Sequence, residues 1–99
     1  MIRTRRIAEV AQGRMPDAVT FAKKIADHLE ASHGIKITVV VPVAGKIGRV
    51  AWIAEHRDLA EMEARMNAMA TDAKYLELVR SGLSNWVPGS VEDEIWRSV

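Results

Sequence analysis

The stretch Ile35–His56 reads Ile-Lys-Ile-Thr-Val-Val-Val-Pro-Val over 35–43, Ala-Gly-Lys-Ile-Gly over 44–48, and Arg-Val-Ala-Trp-Ile-Ala-Glu-His over 49–56. Two alternating, β-branched runs flank a short Gly-containing turn, which is the pattern of a β-hairpin. Pro42 lacks a ladder donor and therefore suits an edge strand. The first strand of the hairpin is expected over 35–43 and the second over 47–56.

Outward from the hairpin, a helical pattern lies on each side. Ala18, Phe21, Ala22, Ile25 and Leu29 recur at i, i+3, i+4 and i+7, which predicts one buried helix face. Pro16 fits the first turn and Gly34 the left-handed end. Downstream, Asp58-Leu-Ala-Glu61 is a capping box, with Glu61 expected to reach back to the cap N–H. Thr71-Asp72 interrupts that helix as a fresh cap, and a further short helix covers 73–81. Strand-like runs at 2–12 and 91–98 close the chain. The order is β-α-β-β-α-β in one domain, 1–99. It is an α+β, ferredoxin-like arrangement with an antiparallel sheet of order 4-1-3-2 and helices on one face.

Both faces of the hairpin carry apolar side chains. Val39 and Val41 belong to one set and Val40 to the other, while Val50, Trp52 and Ala54 oppose Ala51 and Ile53. Helices cover only one face of such a sheet, so a homodimer with sheets packed face to face is expected.

Composition excludes several classes. A net charge of +1 offers no global electrostatic case for nucleic acid or an anionic membrane. The longest apolar run, Val39 to Ala44, is too short to span a bilayer. No cysteine is present, which removes disulfides, thiolate metal sites and a Cys nucleophile, and fits a cytoplasmic protein. Met1-Ile-Arg-Thr-Arg-Arg opens with charge and no signal-like apolar run follows. Gly45-Lys-Ile-Gly48 lacks the spacing of a phosphate loop and joins two strands. His28 and His33, five apart, fall on different helix faces, a poor spacing for a shared metal, and no metal site is expected.

One constellation carries possible chemistry. Trp52 and His56 share parity on their strand and point to one face. Trp96 and Trp86 are placed to approach the same cavity. Met62, Met66 and Met69 fill core gaps or line an adaptable pocket wall. Arg3, Arg5 and Arg6 form either a solvated strand end or an anion contact at a pocket mouth, with Arg5 the chosen residue. In an enzyme, His56 is the base, and Trp52, Trp86, Trp96 and Met66 are the walls around a flat substrate. In the rival reading the Trp residues are core or dimer contacts and His56 ends its strand at the surface.

The run Gly45-Lys-Ile-Gly-Arg-Val-Ala-Trp-Ile-Ala-Glu-His-Arg-Asp-Leu-Ala-Glu-Met-Glu63 and the ending Pro88-Gly-Ser-Val-Glu-Asp-Glu-Ile-Trp-Arg-Ser-Val99 resemble NIPSNAP-type proteins of the dimeric α+β-barrel superfamily. The resemblance implies a ferredoxin-like protomer that pairs its sheet with a second copy. Relatives in the superfamily include antibiotic-biosynthesis-type monooxygenases and haem-degrading enzymes. Two functions follow as expectations. The first is a small-molecule-binding or dimerisation module without a cofactor. The alternative is a cofactor-independent monooxygenase-like enzyme acting on a flat aromatic or polyketide-like substrate.

Overall fold

The computed structural model describes residues 1–99. The chain runs β1 (Ile2–Glu9), α1 (Met15–His33), β2 (Ile37–Val40), β3 (Arg49–His56), α2 (Leu59–Ala70), α3 (Ala73–Ser81), a 3-10 turn (Leu83–Asn85) and β4 (Glu92–Arg97). All strand pairs are antiparallel and the sheet order is β2-β3-β1-β4. This is the expected 4-1-3-2 order read from the opposite edge, with Pro42 following the edge strand β2.

The strands are shorter than their apolar runs. β2 stops at Val40 and β3 starts at Arg49, so 41–48 form the connection. Pro42 explains the early stop, because it cannot donate to the ladder. Gly45 and Gly48 then take φ of 80° and 76°, a conformation that side chains with a Cβ disfavour. Val43 and Ile47 consequently stand exposed in the loop and not on a sheet face. β1 likewise ends at Glu9, and Val10 makes an isolated bridge to Trp86 and donates its N–H to the Gly48 carbonyl at 2.8 Å.

Helix ends follow their local chemistry. Gly34 is left-handed and its N–H reaches the Glu30 and Leu29 carbonyls. Asp58 accepts from the Glu61 N–H at 2.8 Å. Glu61 reaches back to the N–H of Arg57, one residue before the cap, and its other oxygen takes the Arg57 Nε at 2.6 Å. The capping box is thus shifted by one residue. The Arg57 side chain explains the shift, since it gives the Glu61 carboxylate a second donor on the same residue. Asp72 caps α3 by accepting from the Tyr75 N–H at 3.0 Å.

The helix layer is uneven. α1 packs on β2 and β3 and buries Ala18, Ala22, Ile25, Ala26 and Leu29. Its alanines let the helix axis approach the sheet closely. Ile25, Leu29, Ile35 and Ala54 form the central cluster. Truncating a side chain buried like Leu29 costs about 2–5 kcal/mol. By contrast, neither α2 nor α3 buries a single residue completely. These two helices stand off the sheet, and the gap they leave is a cavity lined mostly by apolar side chains.

Candidate functional site

A cavity of about 440 Å³ lies between the sheet and the α2–α3 layer. Strand alternation decides what it contains. On β1, Thr4, Arg6 and Ala8 face the helices; on β3, Trp52, Ala54 and His56 do so. From α2, Met62, Met66 and Met69 form one wall of the cavity, and Met69 also packs against the core cluster. Tyr75 and Val79 of α3 add a second wall, and Trp86 closes one end.

The aromatic end is ordered. The Trp52 and Trp86 rings are edge-on, with centroids 5.3 Å apart, and Phe21 tilts against Trp86 at 6.2 Å. Trp52 Nε1 donates to the Ala22 carbonyl at 3.1 Å, which ties the ring to α1 and satisfies its only polar atom. Such a surface favours flat, polarisable molecules.

His56 lies at the other end and is 5% exposed. An Arg65 guanidinium N–H donates to His56 Nδ1 at 3.0 Å. Nδ1 is therefore the acceptor, and Nε2 carries the proton that meets Thr4 Oγ1 at 3.2 Å. Thr4 Oγ1 in turn faces the Ala54 carbonyl at 3.5 Å. Arg65 is held by the Glu55 carbonyl at 3.1 Å and the Glu61 carboxylate at 3.3 Å. Burial, and secondarily the Arg65 charge, push the imidazole below its ordinary pKa, while Glu61 opposes them. The ring is neutral and both nitrogens are engaged.

A second polar element crosses the cavity floor. Arg6 forms a two-pronged ion pair with Asp93, with Nε to Oδ1 at 2.7 Å and a terminal nitrogen to Oδ2 at 2.8 Å. The register makes this possible, because Arg6 lies opposite both Trp52 and Asp93. The Arg6 guanidinium holds the Asp93 carboxyl below the usual range. Tyr75 lies beside the pair and burial pushes its phenol up, so it stays protonated.

The structure brings together Trp52, Trp86, Met66 and His56, four of the residues singled out in the sequence. It separates two others. Trp96 lies on the opposite face of the sheet, 61% exposed, with Nε1 donating to Glu94 at 3.0 Å. The reason is parity: Trp96 shares a face with Glu92 and Glu94, and the inward set on β4 is Asp93 and Ile95. Arg5 also faces away and pairs with Glu94 at 2.7 Å, so the cavity cation on β1 is Arg6. Arg6 belonged to the arginine cluster from which the sequence favours Arg5, and Arg65, Asp93 and Tyr75 escaped sequence reasoning as site residues. The alternation of Thr4, Arg6 and Ala8 against Arg3, Arg5 and Ile7 was the available signal for separating Arg6 from Arg5.

No protein-family model matches the sequence, and no curated protein is similar to it in sequence. Solved structures are similar in fold. The chain superposes on a NIPSNAP domain protein from Burkholderia xenovorans with a TM-score of 0.84 at 11% identity, covering 100% of this chain and 95% of that one. A NIPSNAP family protein from Agrobacterium tumefaciens gives 0.80 at 17% identity, covering 99% and 92%. An antibiotic-biosynthesis-monooxygenase-like protein from Nitrosomonas europaea gives 0.73 at 13% identity, covering 100% and 99%. At these identities the likeness is one of fold. The chain has the ferredoxin-like α+β fold of NIPSNAP and antibiotic-biosynthesis-monooxygenase-like proteins, as the hairpin and the closing strand implied. No helix is long and apolar enough to cross a membrane.

Proposed function

We propose that the chain is a small-molecule-binding module whose ligand is flat and mostly apolar. The observation that carries this reading is the 440 Å³ cavity, walled by Trp52, Trp86 and three methionines. Its volume falls within the range of small-molecule sites, roughly 300–1,000 Å³. Polar groups are few and sit at fixed places, Arg6–Asp93 on the floor and His56–Arg65 at one end, which suits orientation of a ligand with one polar edge.

Binding is favoured over catalysis by the state of His56. A general base needs a free lone pair within reach of its proton, and the Nδ1 lone pair is taken by Arg65. An enzyme acting through His56 would first have to break that contact.

The module also pairs with a second copy through the sheet face that no helix covers. Val40 and Ile53 are its part-exposed apolar residues, and Ile7 and Ala51 beside them are already buried within the single chain. Two of the arginines around it are already matched, Arg3 by Glu55 and Arg5 by Glu94, while Arg49 donates to the Lys46 carbonyl. A face whose charges are largely paired within the chain can meet its own copy across a two-fold axis with little self-repulsion.

A thermal-shift screen against flat aromatics, quinols and polyketide-like acids tests the binding reading. Stabilisation accompanied by a change in Trp fluorescence is expected. Silence in both readouts across the screen would count against it.

A further inference from the structure

We propose that His28, His33 and Asp72 form a binding site for a transition-metal ion of the Zn²⁺ type. His28 lies near the end of α1 and His33 is its last residue, while Asp72 caps α3. Asp72 Oδ2 meets His28 Nε2 at 2.8 Å and His33 Nε2 at 2.7 Å. The two rings are nearly perpendicular, with centroids 6.3 Å apart, which lets both nitrogens aim at one point. The five-residue spacing places the histidines apart on the helical wheel, yet the carboxylate enters between them and joins them.

Three features suit a metal. The donor atoms of all three residues lie within 4.8 Å of one another. Donors around a tetrahedral zinc at about 2.0–2.1 Å are separated by roughly 3.3 Å, so small rotations bring these atoms onto an ion. The neighbouring contacts already hold the ligands. Asp72 Oδ1 is fixed by the Tyr75 N–H, leaving Oδ2 for the ion. Ser32 Oγ stands 3.4 Å from His28 Nδ1, where it can accept the proton that the metal-binding tautomer places there. Charge points the same way. Asp72 has no Lys or Arg partner, and its only charge partners are the two imidazoles. A divalent cation held between the three side chains would offset that carboxylate.

The donor set of two nitrogens and one carboxylate suits Zn²⁺ and its neighbours Co²⁺ and Ni²⁺ over Mg²⁺ or Ca²⁺. The three side chains are 10–19% exposed, so a water can complete the coordination. The ion would tie the end of α1 to the start of α3. Because α3 carries Tyr75 and Val79 into the main cavity, loading this site would also steady that wall.

The test is calorimetric titration of untagged, chelator-treated protein with ZnCl₂, together with the visible spectrum of the Co²⁺-loaded protein. Saturable 1:1 binding, a raised Tm and the intense absorption of four-coordinate Co²⁺ are expected. His33→Gln and His28→Gln, checked for native circular dichroism, should each weaken Zn²⁺ binding by about tenfold or more. Absence of 1:1 binding by the native chain would overturn the proposal, whatever the variants do. So would Zn²⁺ affinity that persists in both variants.

Discussion

Arg65 donates a guanidinium N–H to Nδ1 of His56 at 3.0 Å. The contact spans one turn of α2 to the last residue of β3, and it fixes which imidazole nitrogen carries the proton. It also places a permanent charge against a ring that burial already keeps neutral.

The titration of His56 follows. Its folded pKa lies below the ordinary 6.5, because of burial first and Arg65 second. Between the folded value and 6.5 the unfolded chain binds more protons, so stability rises with pH across that window. The stabilising contribution is complete above about pH 6.5 and is lost as pH falls through the folded value. An NMR titration of the His56 ring should give a midpoint below 6.5. Arg65→Met should raise it part of the way back, since burial remains. A native midpoint at or above 6.5 would contradict the assigned network.

Gly82 separates α3 from the 3-10 turn, and a Cβ built there would lie 2.3 Å from the Phe21 ring. The absence of a side chain lets this corner close on α1 and bring Trp86 against Phe21. Gly82→Ala should therefore destabilise the fold by about 1–3 kcal/mol, the usual cost of overpacking. Urea denaturation of the two proteins measures this. An unchanged midpoint would mean that the ring moves aside freely.

The uncovered sheet face leads to a third expectation. Light scattering after size exclusion should give twice the chain mass at micromolar concentration. Ile53→Glu places a charge at the centre of that face, on a strand whose inward residues it leaves alone, and should yield a monomer with native circular dichroism. A native chain that runs as a monomer would rule out pairing through this face.

Much of the architecture was legible in the sequence, because it rests on local chemistry. Pro42 marked the edge strand, Asp72 marked the break between α2 and α3, and parity placed Trp52 with His56. Strand lengths were less legible, since apolar residues such as Val43 and Ile47 continue the pattern past the point where backbone pairing stops. The site was only half legible. Arg6–Asp93 joins residues 87 apart in sequence, and only the register of β1 against β4 brings them together. Trp96 was misplaced even though its kinship with Glu92 and Glu94 was readable, since alternation alone does not say which face turns inward. His28 and His33 looked separate on the helical wheel because Asp72, the residue that joins them, comes from another helix.

The cavity itself is the central claim, and a cavity-filling substitution tests it most directly. Met66 lines the α2 wall and is partly exposed, so Met66→Trp fills the space with little strain on the fold. The measurement is calorimetric titration of native protein and of Met66→Trp with naphthalene sulfonate, a flat aromatic anion, followed in parallel through Trp fluorescence. The native chain should bind one molecule saturably, with a change in Trp emission, and Met66→Trp should lose most of that affinity while keeping its Tm. Failure of the native chain to bind, or equal binding by both proteins, would contradict a ligand site between the sheet and α2.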